Sequence, residues 1–499
     1  MAHRLPDQPT ALRRVRRRAA LFNWWRRPVL RRGVSRAWAT VGVIATLAGL
    51  WGSYQQFFAK DPPPLPPTPM RGTLNLAVAD FASADSRGGQ AAKATAKVAN
   101  DVATSVADLL GQQLQPLADH LRIELRGPDQ FPQVQGASQT ARAQTAKGRA
   151  GEIDADIVVH GMLTTDGNRT ILQPELYLSD RIHGDAGETV GDHQWGPALE
   201  LPGDPESNRL ATQLFGEPLT ERTKALASLV LGIWYYQAGQ PGAALDYLHA
   251  AEHQDRDDEE GEELVYLFLG NAAEHRAQQL RQQHPAAARR WFAEAIGYYQ
   301  KALSINEQSA RAWYGIAEAR FLQVGIACQP NRINRRLLAQ VIGDLQRAQQ
   351  ATHRPALANL DTKIAFGLGR TYVCMTLAGV TDRRAEAQRQ LGIAITAYQP
   401  VNPEDPSTRR LRHIAAEAYA QRGLLTVAHA DAPDARAQYL QAVADCKQAI
   451  ALTADRPQRQ RVFYAVLADI YDRLSMRQEA QEARSKAESL PSARLTASG

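Results

Sequence analysis

The amino-acid sequence predicts a mainly α-helical protein: a helical-repeat solenoid preceded by a small α/β domain of order β-α-β-α-β-β and by one transmembrane helix. Three observations lead there. Residues 37–59 carry no charge over 23 positions. From Thr73 apolar residues alternate as they do in strands, and from Thr220 to residue 490 a helical pattern repeats itself. At 499 residues the chain exceeds one ordinary core, so one domain plus a repeat array is expected.

Residues 1–36 form a basic tail with eleven arginines and one acid, Asp7, a net +10. The formal total is +6, so the rest of the chain is −4 and the high pI belongs to the tail. Arginines this close to an apolar run hold the near end in the cytoplasm, and no nucleic-acid partner is expected from them. The run AWATVGVIATLAGLWGSYQQFFA, 37–59, has the roughly 20 residues a bilayer core requires. Trp24, Trp25, Trp38, Trp51 and Tyr54 fit interfacial aromatic belts. Bulky residues follow where a signal peptidase needs small ones, so the run reads as a retained anchor in the cell's inner membrane, with the body extracytoplasmic. Residues 60–72, centred on DPPPLPPTP, then read as a stiff proline-rich spacer.

Residues 73–205 make the α/β domain. Leu74, Leu76 and Val78 alternate as a strand that ends in a Ser/Gly loop at 83–89. Val98, Val102, Val106, Leu109, Leu110 and Leu114 share one face of a helix over 91–117. A strand at 121–125, a small-residue helix over 138–152, and two strands at 157–164 and 170–179 joined by Asp166-Gly167-Asn168 complete it. Residues 180–205 read as a polar connector. LNLAVADF at Leu74–Phe81 and ADIVVHGMLTTDGNRTILQPELYLSD at Ala155–Asp180 resemble the amino-terminal domain of the TolB translocation protein. That resemblance implies an extracytoplasmic interaction or sensing domain.

In the array, Ala225–Ala251 sets Leu231-Gly232, Tyr235, Gly239, Ala244 and Ala251 at offsets that recur as Leu467-Ala468, Tyr471, Ala480 and Ala487. Between them, Leu269-Gly270 pairs with Ala295, Tyr299 and Ala302; Trp313, Ile316 and Ala317 with Ala348; Leu368-Gly369 and Tyr372 with Ala387 and Ala394; Tyr419 with Ala442 and Ala449. Small residues at the eighth, twentieth and twenty-seventh positions let paired helices approach while aromatics fill the gaps. The chain therefore resembles tetratricopeptide repeat (TPR) proteins, with about six units, and 491–499 follow as a tail. The resemblance implies a peptide groove lined by the first helix of each unit. By register it assigns Leu229, Ile233, Tyr236, Asn271, Arg311, Tyr314, Lys363, Phe366, Arg370, Arg410 and His413 to that groove. Four cations beside aromatics suit an acidic peptide or a carboxy terminus.

No phosphate loop, zinc-protease, nucleophile-elbow or kinase motif occurs, so no catalytic residue, cofactor site or metal site is assigned. His249 and His253 lack an evident third ligand, and the acidic run 255–263 reads as a solvated connector. Of three cysteines, Cys328 and Cys374 are placed to pair in an oxidising compartment, although buried small residues are the simpler reading. The expected function is a membrane-anchored protein-interaction scaffold, not an enzyme. One alternative is a sensor whose α/β domain binds a small molecule beside 80–89 and whose repeats relay it. Another is an enzyme built on Asp80, Asp85, Asp154 or Asp156.

Overall fold

The computed structural model describes residues 68–86, 88–166, 169–181, 189–202, 216–254, 262–324, 333–352, 358–398, 406–429 and 434–491, all within one compact unit, 67–499. The basic tail, the apolar run 37–59 and the tail 492–499 lie outside the described residues. Among the described residues no helix is long and apolar enough to cross a membrane.

Folding begins slightly before Thr73, because Met70 is buried and its N–H donates to Ile153 O at 2.7 Å. The α/β domain comprises β1 (Leu74–Val78), β2 (Ala82–Asp85), α1 (Gly89–Leu121), β3 (Ile123–Arg126), α2 (Gln139–Ile153), β4 (Ile157–Asp166), β5 (Arg169–Leu178), β6 (Gly191–Gln194) and β7 (Leu199–Pro202). The sheet is mixed. β1 runs parallel to β3 and β4, β2 runs parallel to β4, and β5 pairs antiparallel with β4, β6 and β7. Strand β4 explains β2, which occupies the expected loop: its later half, Met162–Thr165, runs beyond β1 and pairs with Ala82–Asp85. The expected connector after β5 likewise contains β6 and β7.

Alternation along the strands builds two faces. Leu74, Leu76 and Val78 point to one side and pack with Val102, Val106 and Leu110 of α1, while Ala77 and Ala79 point to the other and pack with Ala146, Ala150 and Ile153 of α2. Helix α2 starts where Ser138 Oγ accepts from Ala141 N at 3.2 Å and stops at Asp154 in the left-handed region, φ 61°. The cluster on the α1 side continues without a break into the array.

Twelve helices follow among the described residues, in six successive pairs: α3 (Gly216–Gln237) with α4 (Pro241–Gln254), α5 (Glu262–Leu280) with α6 (Pro285–Ile305), α7 (Ala310–Val324) with α8 (Arg335–Gln350), α9 (Ala358–Leu377) with α10 (Arg384–Thr396), α11 (Pro406–Ala428) with α12 (Ala435–Ala451), and α13 (Pro457–Arg473) with α14 (Arg477–Ser489). Each helix also packs on the one that follows it, so every pair rests on the next, giving a helical-repeat-like architecture. The small residues work as their spacing requires. A Cβ at Gly270 or at Gly315 would stand 2.5 Å from Tyr299 Cε1, so this fully buried ring fits only because both neighbours are glycine. Units three and five repeat a polar clamp, in which Arg320 reaches Asp344 and Arg422 grips Asp445 at 2.7 and 2.9 Å. Both aspartates stand four residues before a buried alanine in the last turn of their helix, Ala348 or Ala449.

Candidate partner-binding surface

The first helices α3, α5 and α7 bring Tyr236, Asn271 and Tyr314 to one cavity of about 150 Å³. Leu229 and Ile233 are core residues instead, 4% and 0% exposed. The remaining lining includes Gln237, Glu274, His275, Gln278, Tyr299 and Glu318. Register alone missed Glu274, His275 and Gln278, yet they stand three, four and seven residues after Asn271, and Glu318 stands four after Tyr314. One helical stripe holds each set.

Several hydrogen bonds fix the lining. Tyr299 Oη donates to Asn271 Oδ1 at 2.6 Å, Gln278 Nε2 to Glu274 Oε1 at 3.0 Å, and Tyr314 Oη to Glu318 Oε2 at 3.2 Å. His275 meets Tyr236 edge to face at 6.0 Å. Gln237 Nε2 is buried with no hydrogen-bond partner among the described residues. On α9, Arg370 is ion-paired with Glu318 and lies over Phe321 and Phe366 at 4.1 and 5.2 Å, while Lys363 lies 5.7 Å from the Tyr314 ring centre. Burial disfavours the Arg370 cation, but Glu318 and its neighbours outweigh that and raise its pKa.

Two of the four expected groove cations are engaged by the α/β domain. Arg311 donates to Val190 O at 3.1 Å and to His193 Nδ1 at 3.3 Å, and Arg410 donates to Asp180 O at 3.1 Å. His193 Nε2 faces Thr189 O at 2.6 Å and so carries the proton, which leaves Nδ1 as the acceptor. Arg222 of α3 donates to Pro197 O. Gly191 and Gly196 have φ of 120° and 116°, conformations only glycine adopts readily, and they bring the β6 backbone against Arg311 and Arg222. Trp195 joins the core beside Leu226 and Leu229. The last groove residue, His413, is held by Asp455 at 3.0 Å and by burial has a lowered pKa.

The α/β domain contains a buried charged cluster that sequence motifs did not reveal. His160 of β4 stands between two carboxylates: Nδ1 is 3.2 Å from Glu175 Oε2, and Nε2 is 2.9 Å from Asp192 Oδ1. Arg142 of α2 clasps both oxygens of Glu175, and Gln139 Nε2 donates to Asp192 Oδ2 at 3.1 Å. Burial opposes the charged imidazole, but Asp192 and Glu175 outweigh it and raise the His160 pKa. Burial would raise Glu175, but Arg142 and His160 hold it below the usual range. These three side chains are close enough to be tested as metal ligands. With a carboxylate beside each ring nitrogen and a guanidinium on Glu175, the imidazolium donates from Nε2 to Asp192, while Nδ1 lies near Glu175 in ion-pair contact without a hydrogen bond.

Asp154 and Asp156 share Arg181, at 2.7 and 3.7 Å; burial pushes Asp156 up to about 6. Asp85 instead accepts from Thr95 at 2.7 Å and Asp80 from Asn100 at 3.2 Å, which ties that strand end to α1. His249 bonds Glu252 and Tyr298 at 3.0 and 3.2 Å. The side chain of His253, the run 255–261 and Cys328 lie outside the described residues. Cys374, fully buried, is disulfide-bonded, which corrects the simpler reading of it as a small core residue. Cys446 is free, its thiol pushed up to about 12 by burial and by Asp445. No protein-family model matches the chain, and no curated protein matches it.

Proposed function

We propose that this chain is a membrane-anchored, tetratricopeptide-type scaffold that binds a protein partner on the first-helix face of its array. The observation that carries the reading is the shared cavity of α3, α5 and α7, where Tyr236, Asn271 and Tyr314 converge from three successive units. Binding, not turnover, is its task. The anchor is the run 37–59, with the basic tail cytoplasmic and the body outside. A disulfide at Cys374 supports that side of the membrane, because such bonds persist in oxidising compartments. Site-specific photocrosslinking from Gln278, exposed at the cavity, tests the binding reading in intact cells. The expected result is one discrete adduct that Tyr236→Ala and Asn271→Ala each reduce at least about fivefold, the cost of one hot-spot side chain. Adducts that ignore both substitutions would refute it.

A second reading, in which a TolB-like α/β domain senses a ligand and the array relays it, is favoured by β6. That strand carries Asp192 to His160 on one side and seats Arg311 beside His193 on the other.

A further inference from the structure

We infer that His160 is a proton-operated latch at the junction between the α/β domain and the array. Its charged ring holds Asp192 and with it strand β6, on which Arg311 of the array is seated, and loss of the ring proton loosens that seat. The inference goes beyond the scaffold reading and needs no partner. Strand β6 is the short outer member of its sheet, four residues paired with β5. Asp192 faces α2, where its two oxygens meet His160 Nε2 at 2.9 Å and Gln139 Nε2 at 3.1 Å. The next residue, His193, turns to the other face by strand alternation and accepts from Arg311, whose guanidinium also reaches Val190 O. One short strand thus carries the charge cluster on one face and the array's arginine on the other.

The balance of charge makes the proton decisive. Arg142 clasps both oxygens of Glu175, so with His160 charged two cations balance two carboxylates and the cluster is closed without a metal. A neutral ring leaves a net negative charge among side chains with little or no exposure. It also has one N–H for two carboxylates, so a ring lone pair must face one of them. Glu175 keeps Arg142 in either state. Asp192 stands on the edge strand, its other side-chain partner among the described residues is Gln139, and it is the carboxylate that gives way. Burial opposes the charged ring, but Asp192 and Glu175 outweigh it, so the latch is closed below about 6.5 and opens as pH rises through the higher folded value. Tyr177 of β5, on the same face, is pushed up by burial, Asp180 and Asp192, and stays neutral. On the opposite face, protonation of His193 would set a second N–H against Arg311, an effect of opposite sign that does not depend on His160.

The test follows the full-length protein from about pH 6 to about pH 9 by amide exchange, corrected for the intrinsic rate at each pH, and by NMR of its histidine rings. Protection across Val190–Gln194 is expected to fall at least about tenfold as the His160 ring deprotonates, the effect of one pKa unit between the seated and the open strand. His160→Gln should show no such step, and the ring signal it removes identifies His160. Asp192→Asn, which keeps an acceptor and removes a charge, should lower the His160 midpoint. Coupling is reciprocal, so Arg311→Ala, on the other face of β6, should lower it too. Constant protection in the parent protein, an equal step in His160→Gln, or a midpoint that Arg311→Ala leaves in place overturns the inference. Where His160→Gln does not fold, the one ring signal that both Asp192→Asn and Arg311→Ala move carries the decision, and the absence of such a signal overturns it.

Discussion

Arg142, Glu175, His160 and Asp192 form a chain of charges between α2 and β6 in which no member tolerates the loss of its neighbour. Glu175 and His160 have no exposed surface at all, so Arg142→Met strands a carboxylate in the interior. We expect a loss of about 3–5 kcal/mol in denaturant unfolding, and Glu175→Gln in that background should recover part of it. The pH dependence has a definite sign. His160 has a folded pKa above its unfolded value of about 6.5, so its contribution is complete below that pH and is lost as pH rises through the folded value. Glu175 is the reverse: its contribution is present above about 4.3 and is lost as pH falls through its depressed folded value. Unfolding followed by circular dichroism should therefore show an alkaline decline that His160→Gln flattens; an identical decline in the variant would contradict the assignment.

At the scale of elements, the pairing of helices is governed by the small residues that the sequence displayed at fixed offsets. Gly270→Ala or Gly315→Ala drives a methyl into the Tyr299 ring and should cost about 1–3 kcal/mol, measured as a fall in melting temperature. Gly297→Ala, where an added methyl meets nothing within 4 Å, should not fall and serves as the control. The repeats were legible because steric demand imposes residue type at those positions. Groove residues were less so, because solvated face positions impose none: Tyr236, Asn271 and Tyr314 reach the cavity, whereas Leu229 and Ile233 turn into the core. Strand β6 was illegible for a different reason. Its residues, Gly-Asp-His-Gln, show no apolar alternation, since an edge strand held by ionic and arginine contacts does not need it. Strand β2 was hidden in the same way, its pairing supplied by the overlong β4.

Among the described residues, the α1 side of the α/β domain shares one apolar cluster with the array from α3 to α7, and three first helices donate arginine hydrogen bonds to the stretch between β5 and β7. The α/β domain and the helices α3 to α7 should accordingly unfold together. Arg311→Ala removes charge-assisted bonds worth roughly 1.5–3 kcal/mol. It should speed amide exchange across Val190–Gln194 at least about tenfold while β1 and β4 stay protected. The central claim, that a partner binds on the first-helix face, is met most directly by hydrogen exchange of the full-length protein, free and captured with its photocrosslinked partner. Protection is expected at 271–278 and 314–318, the two stripes that line the cavity. Protection confined to α13 and α14, or to the α/β domain alone, would contradict it.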